Sequence, residues 1–319
     1  MFRGIFKQWI WIAVFFVLSA CQNKITTQTG SSSVGQIQRV VFLGNSITYS
    51  GQYIADVEAF YRLVHPTLQI EWINVGLPSE TVSGLSEEGH ADGAFPRPDL
   101  HERLDRVLTR TNPDLVFANY GMNDGIYQSF DTARFEKFQS GMLKLHEMVV
   151  KQGARIVHLT PPVYDESKGG EAGYDEVLHR YSEWLLEQGE ERGWLVLDLH
   201  GPMKAFLEER RQEDPSFYLA ADGVHPGEQG HWIMAREILS FLGEDKVKEA
   251  NDIQAILKDY PNSEAVIQIV REKQQLMRDA WLTATGHTRP KIKEGMPMEA
   301  AYIESKRLEV ALDSLALQP

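Results

Sequence analysis

The stretch Arg39-Val40-Val41-Phe42-Leu43-Gly44-Asn45-Ser46-Ile47 decides the fold. Its apolar run is partly β-branched, does not alternate with polar residues, and stops at a glycine. That pattern reads as a strand buried on both faces. Residues 54–64 follow with helical spacing, then a second strand over 68–75 that ends at Gly76. Residues 100–108 are helical, and Asp114-Leu115-Val116-Phe117-Ala118-Asn119 is a third strand ahead of Gly121. Phe135, Phe138, Met142, Leu145 and Val149 step by three and four, which marks an amphipathic helix. A fourth strand at 155–159 is stopped by Pro161-Pro162, a helix runs through Val177, Leu178, Tyr181, Trp184 and Leu185, a fifth strand covers 194–199, and 232–242 is helical. Strands alternating with helices predict an α/β domain with a five-stranded parallel sheet covered on both faces. In such a sheet the site lies beyond the carboxyl ends of the strands. Gly44, Gly76 and Gly121 each follow a strand, so they gather at one edge. The long polar stretch 77–98 is of a length that often lines a site.

The chain has 319 residues and a formal net charge of -13. An acidic surface repels nucleic-acid phosphates, so no nucleic-acid partner is expected, and neutral substrates are favoured. Arg3 and Lys7 precede an apolar run over 9–18, which has signal-peptide length and is too short for a comfortable membrane span. Leu18-Ser19-Ala20-Cys21 then resembles the lipobox of bacterial lipoproteins. Cleavage before Cys21 leaves it lipid-modified at the new N-terminus. An ordinary secretory signal is the alternative, but Cys21 is the only cysteine and has no partner within the chain. The expected layout is a signal peptide over 1–20, a Ser/Thr/Gln/Gly-rich tether over 21–35, the α/β domain over 36–248 and a helical extension over 249–319. The extension carries apolar stripes through Ile253, Ile256 and Leu257, and through Val266, Ile269, Val270, Leu276, Met277, Ala280 and Trp281. Gly286-His287-Thr288-Arg289-Pro290 breaks the pattern, and residues 300–315 resume it.

Three short motifs carry chemistry. Ser46 follows a strand and a glycine and opens a helix, where backbone N–H groups are free. Asp222 and His225 lie three apart around Gly223, so the carboxylate can turn back onto the imidazole and fix its tautomer. Asn123, in Gly121-Met122-Asn123-Asp124, can donate to a developing oxyanion, with the N–H groups of Ser46 and Gly76 as co-donors. Taken singly, each also fits a bland role: a helix cap, a helix-opening loop and an ordinary turn. For metal binding, His90, Asp92 and His101 show no ligand spacing, so no metal is expected. His158 reads as a core residue, His231 as a capping or packing one, and His287 as structural.

The constellation resembles the SGNH subgroup of the GDSL hydrolase family over about residues 36–243. The family places a serine block after the first strand, a glycine block after the second, Gly-x-Asn-Asp after the third and Asp-x-x-His near the end of the domain. The resemblance implies a flavodoxin-like three-layer α/β/α fold and ester hydrolysis without metal or cofactor. It makes Ser46 the nucleophile, His225 the general base and acid, Asp222 the residue that orients His225, and Ser46, Gly76 and Asn123 the oxyanion hole. The serine block departs from the usual Gly-Asp-Ser, because Asn45 stands where Asp is usual. No long apolar lid is evident, and an exported, tethered member implies an acetylated glycan or small ester as substrate. A lipase, lysophospholipase or thioesterase is the alternative within enzymes. A surface lipoprotein that binds glycans or partners, with weak or lost catalysis, is the alternative of another class. The expected location is periplasmic or cell-surface, on a membrane, through the lipid at Cys21.

Overall fold

The computed structural model describes Met1 and residues 37–316. The signal-peptide, lipobox and tether readings, with Cys21, lie outside the described residues. Five strands, β1 (Arg39–Gly44), β2 (Glu71–Asn74), β3 (Leu115–Asn119), β4 (Arg155–Leu159) and β5 (Leu195–Leu197), form one parallel sheet in the order β2-β1-β3-β4-β5. Val40 pairs with Trp72 on one side and Leu115 on the other, and Gly44 pairs with Asn119. The chain leaves β1 toward one edge of the sheet and returns to β3 on the other side of β1. The switch in direction therefore falls between β1 and β3, where the loops diverge and leave a crevice. Ser46 follows β1 and Asn123 follows β3, so the two motifs straddle it.

Eleven α-helices among the described residues complete the chain: α1 (Ser46–Ser50), α2 (Gln52–Val64), α3 (Leu100–Thr111), α4 (Thr132–Lys151), α5 (Glu166–Gly169), α6 (Tyr174–Arg192), α7 (His200–Glu213), α8 (Glu228–Phe241), α9 (Ile253–Leu257), α10 (Ser263–Thr285) and α11 (Met298–Ala316). On one face of the sheet Phe42 stacks on Phe117 at 5.3 Å, and these rings meet Tyr53 of α2 and Phe241 of α8. The alternate residues Val41 and Val116 are also fully buried, as expected of strands covered on both faces. The expected three-layer α/β/α architecture is the observed one.

Three details differ from the sequence reading. The edge strands β2 and β5 are shorter than expected, each having a partner on one side alone. Helix α7 falls between the fifth strand and the last helix, where the sequence reading placed no element. It buries few side chains, among them His200, Met203 and Leu207, and its remaining turns are charged, so no apolar stripe betrays it. Residues 77–98 are tied down rather than featureless: Thr81 bridges to Asp99, and His90–Gly93 makes a 3-10 turn.

The extension packs on the α/β domain. Helix α10 lies along α2 and β2, and α11 lies on α10. Ile253, Leu257, Val266, Val270 and Trp281 join the same core as the sheet. Polar groups fasten the seam: Gln274 Nε2 donates to the carbonyl of Trp72 on β2 (2.9 Å), and Tyr302 Oη donates to Glu71 (2.8 Å). The Lys273 ammonium joins Glu58 of α2 to Glu309 of α11. The β2 edge, which would otherwise offer bare backbone groups to another chain, is thereby covered.

Candidate active site

Asn45 caps α1, its Oδ1 accepting from Ile47 N–H at 3.0 Å. This is the turn bond that a carboxylate would make, so asparagine in the serine block preserves the local geometry. Ser46 sits at the first position of α1, half-buried. Its backbone N–H makes no hydrogen bond among the described residues, as expected at a helix start.

Asp222 and His225 come from the loop between α7 and α8. Gly223 lies at φ +80°, and a Cβ there would meet the backbone N of Gly169 at 2.4 Å, so the turn requires glycine twice over. The turn brings His225 Nδ1 to 2.6 Å from Asp222 Oδ2 and His225 Nε2 to 2.8 Å from Ser46 Oγ. Asp222 Oδ1 also accepts the N–H groups of Val224 (2.9 Å) and His225 (2.8 Å). Partial burial works against the charged form of Asp222, but these bonds outweigh it and hold the carboxyl down to about 2. An ionised Asp222 can only accept, so His225 carries its proton on Nδ1. Nε2 then presents a lone pair to the Ser46 hydroxyl. The side chains of His225 and Asp222 are 50% and 56% exposed, so this relay lies open at the surface.

Asn123 is buried after β3. Its Nδ2 donates to the carbonyl of Glu80 (3.1 Å), and its Oδ1 accepts from Tyr127 Oη (3.2 Å). One amide hydrogen thus fixes the group and the other is uncommitted. The adjacent Asp124 is fully buried and accepts the N–H groups of Val82, Ser83 and Gly121, each at 2.9 Å. It clamps the 77–98 stretch against the end of β3.

Gly76 does not take the place expected of it. Its N–H donates to Asn74 Oδ1 at 2.9 Å, and the residue is buried. A Cβ there would meet the backbone N of Tyr49 at 2.4 Å, so this glycine lets the chain pass close to α1 rather than offering a free donor. Four residues on, Glu80 N–H bonds back to Leu77 O, with Pro78 second and Ser79 third at φ +69°. This is the pattern of a type II turn, whose third position favours glycine. The Ser79 N–H has no partner among the described residues. The turn is strung between Gly44, whose carbonyl accepts from Leu77 N–H at 2.8 Å, and Asn123, which bonds the Glu80 carbonyl. Reading glycines alone missed Ser79. The Leu77-Pro78-Ser79-Glu80 turn signal was the available clue.

Helix α10 also reaches the site. Arg278 lies 3.9 Å above the Tyr49 ring and donates to the Tyr49 carbonyl at 2.8 Å, bracing α1 one turn past Ser46. The other aromatic residues near the motifs, Tyr53, Tyr120 and Trp232, are core residues. The remaining histidines stand apart from the relay. His158 is buried, stacked on Trp194 and hydrogen-bonded to His146 (3.0 Å), and burial pushes it down to about 3. His231 bonds Ser50 (3.1 Å), and burial pushes it down to about 4. His90 pairs with Glu87 and His101 with the Gly141 carbonyl. No group of three or more His, Cys, Asp or Glu among the described residues is placed to hold a metal.

Comparison with known proteins agrees with this geometry. Residues 42–233 match the GDSL-like lipase/acylhydrolase family. An acetylxylan esterase of Geobacillus stearothermophilus is 25% identical over 237 residues, covering 67% of this chain and 98% of that enzyme. The crystal structure of an acetylxylan esterase from that organism superposes with a TM-score of 0.51 at 23% identity, over 65% of this chain and 94% of that one, and so shares the fold. A gut microbial diltiazem-metabolizing enzyme superposes with a TM-score of 0.50 at 27% identity over 65% of this chain. The match spans about half, 47%, of that longer protein. The family match covers well over half of the 319 residues, and the chain therefore belongs to the GDSL-like lipase/acylhydrolase family, as a serine hydrolase of carboxylic esters.

Proposed function

We propose that this protein is a carbohydrate acetylesterase whose nucleophile is Ser46. The observation that carries the reading is the Ser46–His225–Asp222 relay, set in an open mouth with half-exposed side chains. A long acyl chain needs an apolar tunnel or lid to leave water. An acetyl group projecting from a bulky glycan needs access instead. A relative that matches over 237 residues is an acetylxylan esterase, which supports the same choice.

In this scheme Ser46 Oγ passes its proton to His225 Nε2 as it attacks the ester carbonyl. Asp222 stabilises the imidazolium without taking the proton. The tetrahedral oxyanion is held by the Ser46 N–H, the free amide hydrogen of Asn123 and, in place of Gly76, the Ser79 N–H. His225 returns the proton to the leaving sugar oxygen, and the acetyl group remains on Ser46. Water, deprotonated by His225, then releases acetate and restores the serine. Because Asp222 is held near 2, it stays ionised throughout the working range and does not set the acid limb of activity.

Acetate release from acetylated xylo-oligosaccharides, beside a series of p-nitrophenyl esters of increasing chain length, tests the reading. The expected result is efficient deacetylation, with kcat/KM falling about tenfold or more from acetyl to butyryl. A rise in kcat/KM with acyl length favours the lipase alternative and defeats this proposal.

We further infer that the mature chain is tethered to a membrane through lipid on Cys21. The Leu18-Ser19-Ala20-Cys21 motif, behind a positively charged and apolar leader, supports this. Cys21→Ala is expected to move the protein from the membrane fraction to the soluble fraction of a bacterial host. Retention in the membrane fraction by the variant counts against the anchor.

A further inference from the structure

The C-terminal extension does more than cover the β2 edge. Its Gly286-His287-Thr288-Arg289-Pro290 segment is held at both ends. Arg106 of α3 donates to the Thr285 carbonyl (2.8 Å), and Gly295 N–H donates to Thr283 Oγ1 (2.8 Å). Between these ties the segment lays the Arg289 guanidinium over the ring of Phe95, 5.1 Å from its centroid. Phe95 belongs to the 77–98 stretch that also supplies Ser79.

A line of contacts joins this point to Asn123. Phe95 meets His90 edge-on at 5.3 Å, and His90 Nδ1 pairs with Glu87 at 3.2 Å. Glu87 takes Arg97 with both oxygens (2.6 and 2.7 Å), and Arg97 lies over Tyr127, which bonds Asn123. Arg278, from the same extension, lies over Tyr49, one turn past Ser46. Arg289 and Arg278 thus belong to a rim that the extension completes, Arg289 on the side of the oxyanion residue and Arg278 on that of the nucleophile helix.

The cations of this rim are not equivalent. Arg97 is neutralised by Glu87 and Arg278 by Asp279 (2.7 Å). Arg289 has no carboxylate within 4.0 Å among the described residues. Its hydrogen bond is to the carbonyl of the next residue, Pro290 (2.9 Å), and its Nε is buried without a partner. Acidic residues outnumber basic ones by 45 to 32 in this chain, so an arginine without one is not a matter of scarcity. A half-buried guanidinium without a counter-charge is costly, and an arriving carboxylate offsets that cost through a forked pair of bonds.

We infer that Arg289 is a specificity-determining residue that receives a carboxylate carried by the substrate's sugar, so that the preferred glycan is an acetylated one bearing uronic acid. The inference rests on the carbohydrate reading above and adds the charge of the sugar. The acidic surface of the protein does not oppose it at contact distance. Exposed charges farther off than about 8–10 Å are screened by salt, and Arg289 is the group the substrate meets.

The test uses one acetylated uronic-acid oligosaccharide in two forms, with its carboxylates free and methyl-esterified, and reads acetate release by the full-length protein. The wild type is expected to prefer the free acid by about tenfold or more in kcat/KM, mainly through KM. Arg289→Gln is expected to bring that ratio close to one by raising KM on the free acid while retaining kcat. Arg289→Lys is expected to keep part of the preference. Equal rates of the wild type on both forms, or a preference that survives in Arg289→Gln, overturn the assignment. Acetate released from acetylated xylo-oligosaccharides but from neither uronic-acid form overturns the assignment and leaves the carbohydrate reading standing. Cleavage of p-nitrophenyl acetate with no acetate released from any of the three sugars overturns the carbohydrate reading, and this inference with it.

Discussion

Ser46→Ala lowers the kcat for p-nitrophenyl acetate by about 10⁴ to 10⁶-fold, while the melting temperature stays within a degree or two of the wild type. The size of the loss follows from the geometry. Ser46 Oγ is the atom that His225 Nε2 faces at 2.8 Å, and no second hydroxyl bonds that nitrogen among the described residues. The fold is indifferent because the Ser46 side chain is half-buried and has one partner, while the cap of α1 is made by Asn45. His225→Ala costs a similar factor. The double variant loses little more than either single one, because an alkoxide without its base and a base without its hydroxyl are equally idle. The activity that remains over water belongs to the oxyanion donors. Retention of more than about a tenth of the wild-type rate in Ser46→Ala, with the protein folded, excludes the serine mechanism.

The sheet and the relay were legible in the sequence for the same reason. Strands covered on both faces write themselves as unbroken apolar runs, and the chemistry of this fold sits where those runs stop. Arg39 to Gly44 and Leu115 to Asn119 are such strands, and Ser46 and Asn123 lie two and four residues beyond them. His225 was legible through its short spacing from Asp222, since a turn of three residues around Gly223 is a local matter. What escaped depended on contacts distant in sequence. Whether Gly76 N–H is free is decided by the Asn74 side chain and by how closely α1 passes, and neither is written at Gly76. Helix α7 escaped because it buries little of itself. The reach of Arg278 to Tyr49 escaped because it depends on how α10 docks, about 230 residues from the helix it meets.

Arg103→Met destabilises the fold strongly, and its effect extends to catalysis. Arg103, on α3, and Glu80 are both fully buried. Nε and Nη2 of Arg103 donate to the two oxygens of Glu80 at 2.6 and 2.8 Å, and Nη2 also reaches the carbonyl of Val75 at 2.8 Å. Tyr120 Oη adds a third bond to Glu80 at 2.7 Å. Burial works against the guanidinium charge, but the Glu80 carboxylate outweighs it and holds Arg103 above its ordinary value. Methionine fills much of the volume and supplies no donor, so Glu80, whose carboxyl burial already pushes up, must either hold a buried charge with one hydroxyl left to it or take up a proton to fold. Such a loss costs about 3–5 kcal/mol, and the melting temperature is expected to fall by about 10 °C. Adding Glu80→Gln to Arg103→Met should recover part of that fall, since it removes the cost of burying or protonating the unpaired carboxylate. The catalytic consequence comes through the backbone: Glu80 closes the turn that carries Ser79, and its carbonyl holds the Asn123 amide. A looser turn blurs two oxyanion donors together, so kcat is expected to fall by about tenfold or more with KM little changed, below the melting transition. If Arg103→Met melts within two degrees of the wild type, the buried pair does not hold the turn. If it melts early but retains full kcat at low temperature, the turn does not depend on the pair to place its donors.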